Sequence, residues 1–255
     1  MLLMRKRFFI VILILILATG GYFIFHKNSV PASQTKKSST STASAASGSF
    51  DKTQYSLTDP TSIWVVVNKQ HPLNPKDYVP ADLVVPSVPL RVPGNESMQL
   101  RKVTANAMEQ MFTDAKSQGI NLMLLSGYRS YSYQVGLYNG YVQANGQAEA
   151  DQQSARPGYS EHQTGFAADV GPVSQNCALQ QCFSDTPEGK WLAANAYKYG
   201  FIVRYAADDQ DITGYEAEPW HIRYVGVELS TEMHDKGIQT LEQFFNVSGG
   251  AVYRN

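Results

Sequence analysis

Two of the five histidines stand beside residues that could give them a chemical task. His162 lies in PGYSEHQTGFAADVG with Asp169 seven positions later, and His221 lies in EAEPWHIRYVG with Glu218 three positions earlier. Two neutral imidazoles and a carboxylate form the donor set of a hydrolytic zinc site, which keeps a fourth position open for water. Such a site also needs a carboxylate that does not ligate, takes the proton of that water and returns it to the leaving group. His162, Asp169 and His221 supply the first set and Glu218 the second. Gly165 and the Ala167-Ala168 pair let the chain bend between the first two ligands. By spacing alone, an ordinary polar reading stays open. A His and an Asp at this separation recur by chance, and Glu-Pro-Trp-His can be a turn entering a strand, with Trp220 in the core. The helical HExxH pattern is absent. His26 ends an apolar run, His71 opens a Pro-rich stretch and His234 falls in a terminal helix, so these three read as surface residues.

The elements that must position these residues follow from pattern. SIWVVVN (62–68) is rich in β-branched and aromatic residues and predicts a strand. The prolines of 71–94 exclude a regular helix and predict an extended wrap. MQLRKVTANAMEQMFTDAKSQG (98–119) carries Leu100, Val103, Ala107 and Met111 at helical spacing and ends in glycine. INLMLLSGYRS predicts a buried strand entering a turn at Ser126-Gly127. Helices are predicted through SYQVGLYNGYVQANG and TPEGKWLAANAYKYG, strands at FIVRY (201–205) and WHIRYVG (220–226), and a terminal helix through GVELSTEMHDKGIQTLEQFFN. Strands and helices mixed without a regular βαβ rhythm predict an α+β domain, with a small, mostly antiparallel sheet flanked by helices.

A chain of 255 residues accommodates one well-buried domain and an appendage, and its net charge of -1 offers no basic excess for nucleic acid. Residues 1–7 end in Arg5, Lys6 and Arg7, and the uncharged run 8–25 would make a helix of roughly 27 Å. This predicts an N-terminal transmembrane anchor with the following domain extracytoplasmic, the rival reading being a cleaved signal peptide and a secreted form. Residues 26–60, rich in Ser and Thr, predict a flexible tether, 61–247 the folded domain and 248–255 a tail. The membrane is thus an expected partner, nucleic acid is not, and a monomer is expected. Cys177 and Cys182 are the only two cysteines. Outside the membrane an even count permits a bridge, and a disulfide pinning a loop beside the metal site is expected, with free thiols as the alternative.

Four blocks extend the reading: SGYRSYSYQVGLY (126–138), ARPGYSEHQTGFAADVG (155–171), EGKWLAANAYKYGFIVRY (188–205) and TGYEAEPWHIRYVG (213–226). Together they resemble the VanY-type D-alanyl-D-alanine carboxypeptidases, zinc D,D-peptidases related to the L,D-carboxypeptidases of peptidoglycan trimming. The resemblance spans roughly residues 60 to 245, with the blocks in the family's order. It implies a Zn2+ cofactor held by His162, Asp169 and His221, Glu218 as the catalytic base, and Arg129 stabilising the oxyanion or holding substrate. It also implies that Gln134 and Ser160 line the substrate pocket. Tyr131, Tyr205 and Trp220 read as pocket walls or as plain core. The reaction implied is direct hydrolysis, without a covalent intermediate, by a D-alanyl-D-alanine carboxypeptidase that removes the terminal D-Ala from peptidoglycan stem peptides. Alternatives are an L,D-carboxypeptidase acting on tetrapeptide stems, an endopeptidase acting on cross-links, or a non-catalytic wall-binding module on the same fold. A serine D,D-peptidase is disfavoured because no SxxK motif marks a nucleophile.

Overall fold

The computed structural model describes residues 50–254. A short antiparallel pair, β1 (Leu83–Val84) and β2 (Leu100–Arg101), leads into helix α1 (Lys102–Ser117). Strand β3 (Leu122–Ser126), helices α2 (Tyr131–Asn145) and α3 (Gln147–Gln153), and strand β4 (Ala167–Pro172) follow. Then come α4 (Pro187–Asn195), β5 (Phe201–Tyr205), α5 (Gln210–Thr213), β6 (Glu218–Tyr224), α6 (Val227–Asp235) and α7 (Leu241–Phe245). The main sheet has the order β3-β4-β6-β5, with every neighbouring pair antiparallel. This is the α+β arrangement with small antiparallel sheets and flanking helices.

Alternation along the central strands separates core from site. Ala168 and Val170 of β4 and Ile222 of β6 join the main core with Met108, Met111 and Phe112 of α1 and Leu192 of α4. Their neighbours Asp169 and His221 therefore share the opposite face, and the two are direct register partners. Glu218 lies three positions before His221, which in a regular strand would place it on the other face. The β5–β6 register shifts between Val203 and Tyr205, and this irregularity brings Glu218 to the same side as His221.

Several elements depart from the sequence reading for identifiable reasons. Residues 62–68 form no strand ladder: 62–64 are bend and turn, closed by the Val65 N–H donating to the Ser62 carbonyl, and Asn68 makes only an isolated bridge to His71. The alternation is real: Trp64 and Val66 enter one apolar cluster while Val65 and Val67 enter another. The carbonyls of Ile63 and Val65 are taken by the Arg223 guanidinium at 3.0 and 2.8 Å instead of by a neighbouring strand. In α1 the buried stripe is Thr104, Ala105, Met108, Met111, Phe112 and Ala115, so Val103 faces solvent. The C-terminal helix is two helices, interrupted where Gly237 adopts φ 63° and closes the end of α6.

The folded domain begins before residue 61. Phe50 stacks on Trp64 and meets Phe244 edge-on, each at 5.4 Å between ring centroids. Within the expected tail, Tyr253 is buried and packs on Tyr159. Cys177 and Cys182 are joined in a disulfide.

The expected membrane anchor is corrected. Among the described residues no helix is long and apolar enough to cross a membrane. The longest, α1, has 16 residues, roughly 24 Å against a hydrocarbon core of about 30 Å. Segment 8–25 lies outside the described residues, as do His26 and most of the expected tether. A transmembrane helix as part of the fold, the membrane as a partner and a single-pass membrane localisation accordingly find no support among the described residues, whose architecture is the α+β domain.

Candidate metal centre

His162 is carried by a single 3-10 turn, Glu161–Thr164, that precedes β4 and ends at Gly165 in the left-handed conformation, φ 71°. A side chain at Gly165 would also collide with Arg101. The ring is anchored by Nδ1, 2.6 Å from the carbonyl oxygen of Gly127. A carbonyl can only accept, so Nδ1 carries the proton and Nε2 keeps its lone pair. Gly127 in turn is wedged against the backbone of 97–99, where a Cβ would strike the Gln99 carbonyl. The Ser-Gly-Tyr turn thus fixes the tautomer of a residue 35 positions away.

Nε2 of His162 lies 3.4 Å from Asp169 Oδ2, and Nδ1 of His221 lies 3.4 Å from Asp169 Oδ1 and 3.3 Å from Glu218 Oε2. One donor atom from each of His162, Asp169 and His221 falls within 4.8 Å of the others, and all three residues are buried. Charge-assisted hydrogen bonds close to about 2.7–2.9 Å, and these contacts are longer. Two donors on a four-coordinate ion with bonds of roughly 2.0–2.2 Å stand about 3.4 Å apart. The spacing and the N, O, N donor set therefore suit a divalent metal.

The electrostatics agree. Burial alone would raise the Asp169 carboxyl, but the charges of His162 and Arg129 outweigh it and hold it well below the usual carboxylate range. Burial, aided by Arg129, lowers His162 against the pull of Asp169, favouring the neutral imidazole a ligand must be. Burial would also lower His221, yet Asp169, Glu161 and Glu218 together raise it well above its ordinary value. Carboxylates converging on one imidazole favour a positive charge there, whether proton or metal ion.

These residues form the floor of a cleft of about 520 Å³. Arg129 donates from Nη2 to Asp169 Oδ2 at 2.7 Å and from Nε to Ser126 Oγ at 3.1 Å. Gln134 and Ser160 are buried in the cleft wall; Gln134 donates to Ser154 and to the Ala155 carbonyl, while its Oε1 has no partner. Tyr205 packs on His221 at 4.8 Å, and Trp220 lines the cleft while also touching the core. Tyr131 is not among the lining residues. Helix α2 turns Tyr133, Leu137 and Tyr141 to the cleft, and Tyr131 sits about 200° around the helix from Tyr133. Leu179, inside the disulfide loop, also lines the cleft.

Sequence reading passed over Glu161, Arg204, Arg223 and Tyr215, all buried around the site. The two arginines left a signal: each interrupts an apolar strand, in FIVRY and WHIRYVG, at a position that cannot reach water.

A cleft floored by a buried His-Asp-His cluster, with a further carboxylate at hand, has the donor set and proton carrier of a metal-dependent hydrolase. Residues 97–227 match the family VanY: D-alanyl-D-alanine carboxypeptidase, and the chain belongs to that family. YodJ of Bacillus subtilis (strain 168), which carries a provisional carboxypeptidase name, is 43% identical over 192 residues, covering 74% of this chain and 69% of its own length. A solved structure of the LdcB LD-carboxypeptidase, concerned with peptidoglycan recognition, is 43% identical with a TM-score of 0.70, covering 74% of this chain and 89% of that one. A variant of the vancomycin-resistance D,D-pentapeptidase VanY, solved with Zn(II), is 30% identical with a TM-score of 0.59, covering 72% and 99%. Family and site together make this chain an enzyme and exclude the non-catalytic module.

Proposed function

We propose that the protein is a zinc L,D-carboxypeptidase that removes the C-terminal D-Ala from tetrapeptide stems of peptidoglycan. The observation that carries the metallopeptidase chemistry is the buried His162, Asp169 and His221 cluster with Glu218 beside it. The choice of bond is supported by the likeness to the LdcB LD-carboxypeptidase, 43% identical with a TM-score of 0.70. His162 through Nε2, Asp169 through a carboxylate oxygen and His221 through Nδ1 would hold the ion. Bound there, zinc supplies Lewis-acid polarisation of the scissile carbonyl and acidifies the attacking water.

The chain's own groups do the rest. Glu218, partly exposed and 3.3 Å from His221 Nδ1, takes the water proton and delivers it to the departing amine of D-Ala. Arg129, held by Ser126 and Asp169, stands ready to turn a guanidinium N–H toward the developing oxyanion. Gln134 Oε1 and Ser160 offer polar contacts for the peptide or its terminal carboxylate. Tyr205 and Trp220 bound the cleft beside the metal position and limit water there.

The second reading is the D,D-carboxypeptidase, acting on pentapeptides between two D-Ala residues; it is favoured by the family match over 97–227. Incubating the protein with tetrapeptide and pentapeptide stems and weighing the products separates the two. Release of D-Ala from the tetrapeptide is expected. Release from the pentapeptide alone would replace the first reading with the second.

A further inference from the structure

The two ring nitrogens of His221 have different surroundings. Nδ1 faces the candidate metal position, 3.4 Å from Asp169 and 3.3 Å from Glu218. Nε2 is enclosed without a well-formed hydrogen bond, and 3.4 Å from it lies Glu161 Oε2, which likewise has no other partner. The other oxygen of that carboxylate is engaged twice, by Arg204 Nε at 2.9 Å and by Arg223 Nη1 at 2.8 Å.

Both guanidiniums are fixed in turn. Arg204 grips Glu242 with two bonds of 3.0 and 2.7 Å, Glu242 accepts from Asn68 at 2.8 Å, and Arg223 donates to the Ile63 and Val65 carbonyls. Glu161, Arg204, Arg223 and Glu242 are each no more than 2% exposed. Glu161 therefore cannot swing away, and its carboxylate is held as the acceptor of two arginine N–H groups. A carboxylate in that state only accepts. The orphaned pair Oε2 and Nε2 is satisfied in one way, with the proton on Nε2.

We infer that Glu161 is a positioning residue: pinned by Arg204 and Arg223, it holds the His221 ring through Nε2–H and so makes Nδ1 the atom offered to the metal. The inference rests on the metal-site reading above. It assigns the buried charge cluster a function, that of a rigid mount whose one free lone-pair direction orients a ligand.

The test is Glu161→Gln. The arginines still demand an acceptor, so the amide oxygen stays with them and the NH2 turns to His221. It then donates to Nε2 and drives the ring proton to Nδ1, where it blocks the metal. Competition with a chromogenic chelator should give a zinc dissociation constant raised about 10–100-fold, the usual effect of losing a ligand's orienting partner, with circular dichroism unchanged. Unchanged zinc affinity in the folded variant overturns the inference. Should the variant fail to fold, the zinc-loaded wild type decides: 15N spectra of labelled histidine are expected to place the His221 proton on Nε2, and a proton on Nδ1 overturns the inference. A wild type that binds no zinc sinks the metal-site reading together with the inference. Equal binding by wild type and variant sinks the inference alone.

Discussion

Two groups of charged residues adjoin one another in this domain, one buried and one partly open to the cleft, and they are built in opposite ways. In the enclosed group, Glu161 and Glu242 meet Arg204 and Arg223, two negative charges against two positive, at 2.7–3.0 Å. On the cleft floor, Asp169 and Glu218 face one guanidinium, Arg129, and two imidazoles whose nearest carboxylate contacts stand at 3.3–3.4 Å. The first group is balanced in charge, with Glu161 Oε2 alone turned out of it toward His221. The second has the lone pairs of His162, Asp169 and His221 converging, with one donor atom of each within 4.8 Å of the others. Burial alone therefore does not mark a functional site; the convergence of donor atoms suited to one ion does.

The comparison can be broken at either group. The largest effect is expected from Glu218→Gln, which removes the proton carrier and leaves the ligands. Its kcat for D-Ala release should fall about 10²–10⁴-fold with metal content unchanged by elemental analysis. Because Glu218 is partly exposed, the same variant should leave metal-free stability within about 0.5 kcal/mol in urea titration. Glu242→Gln is the converse. It removes one of the two carboxylates that Arg204 engages, leaves two buried guanidiniums against Glu161 alone, and should cost about 3–5 kcal/mol of unfolding free energy.

A pH titration sharpens the contrast. Burial pushes the Glu242 carboxyl up, but Arg204 and Asn68 outweigh it and hold it below the unfolded value of 4.5. A folded pKa below the unfolded one contributes stability that is complete above the unfolded value and is lost as pH falls through the folded one. Urea stability of the wild type should therefore decline below about pH 4.5, and the decline should be shallower in Glu242→Gln. The smallest effect concerns the cleft wall. Tyr133→Ala should raise KM about three- to tenfold, the worth of one aromatic contact, whereas Tyr131→Ala should leave KM within about twofold.

What the sequence disclosed follows the range of the contacts. The strands at 201–205 and near 220–226 and the helix after Ser130 are local patterns, and each formed close to its expected place. The pairing of Asp169 with His221 is non-local, 52 positions apart by number, so spacing left it open and only the resemblance of whole blocks named it. Glu218 needed an irregular register that no periodicity reveals. Segment 62–68 has a strand's alternation, yet Arg223 occupies the carbonyls a ladder would use. Tyr131 and Tyr133 differ only in helical phase, and phase depends on where α2 starts. The anchor expected over 8–25 has no counterpart among the described residues.

The central claim is that His162, Asp169 and His221 hold one metal ion, and calorimetric titration of the metal-free protein with zinc tests it most directly. About one ion should bind per chain, with affinity at least about 100-fold weaker in His162→Ala and in His221→Ala, as the loss of one of three ligands requires. Absence of zinc binding by the wild type, or binding that both variants leave intact, would contradict the account.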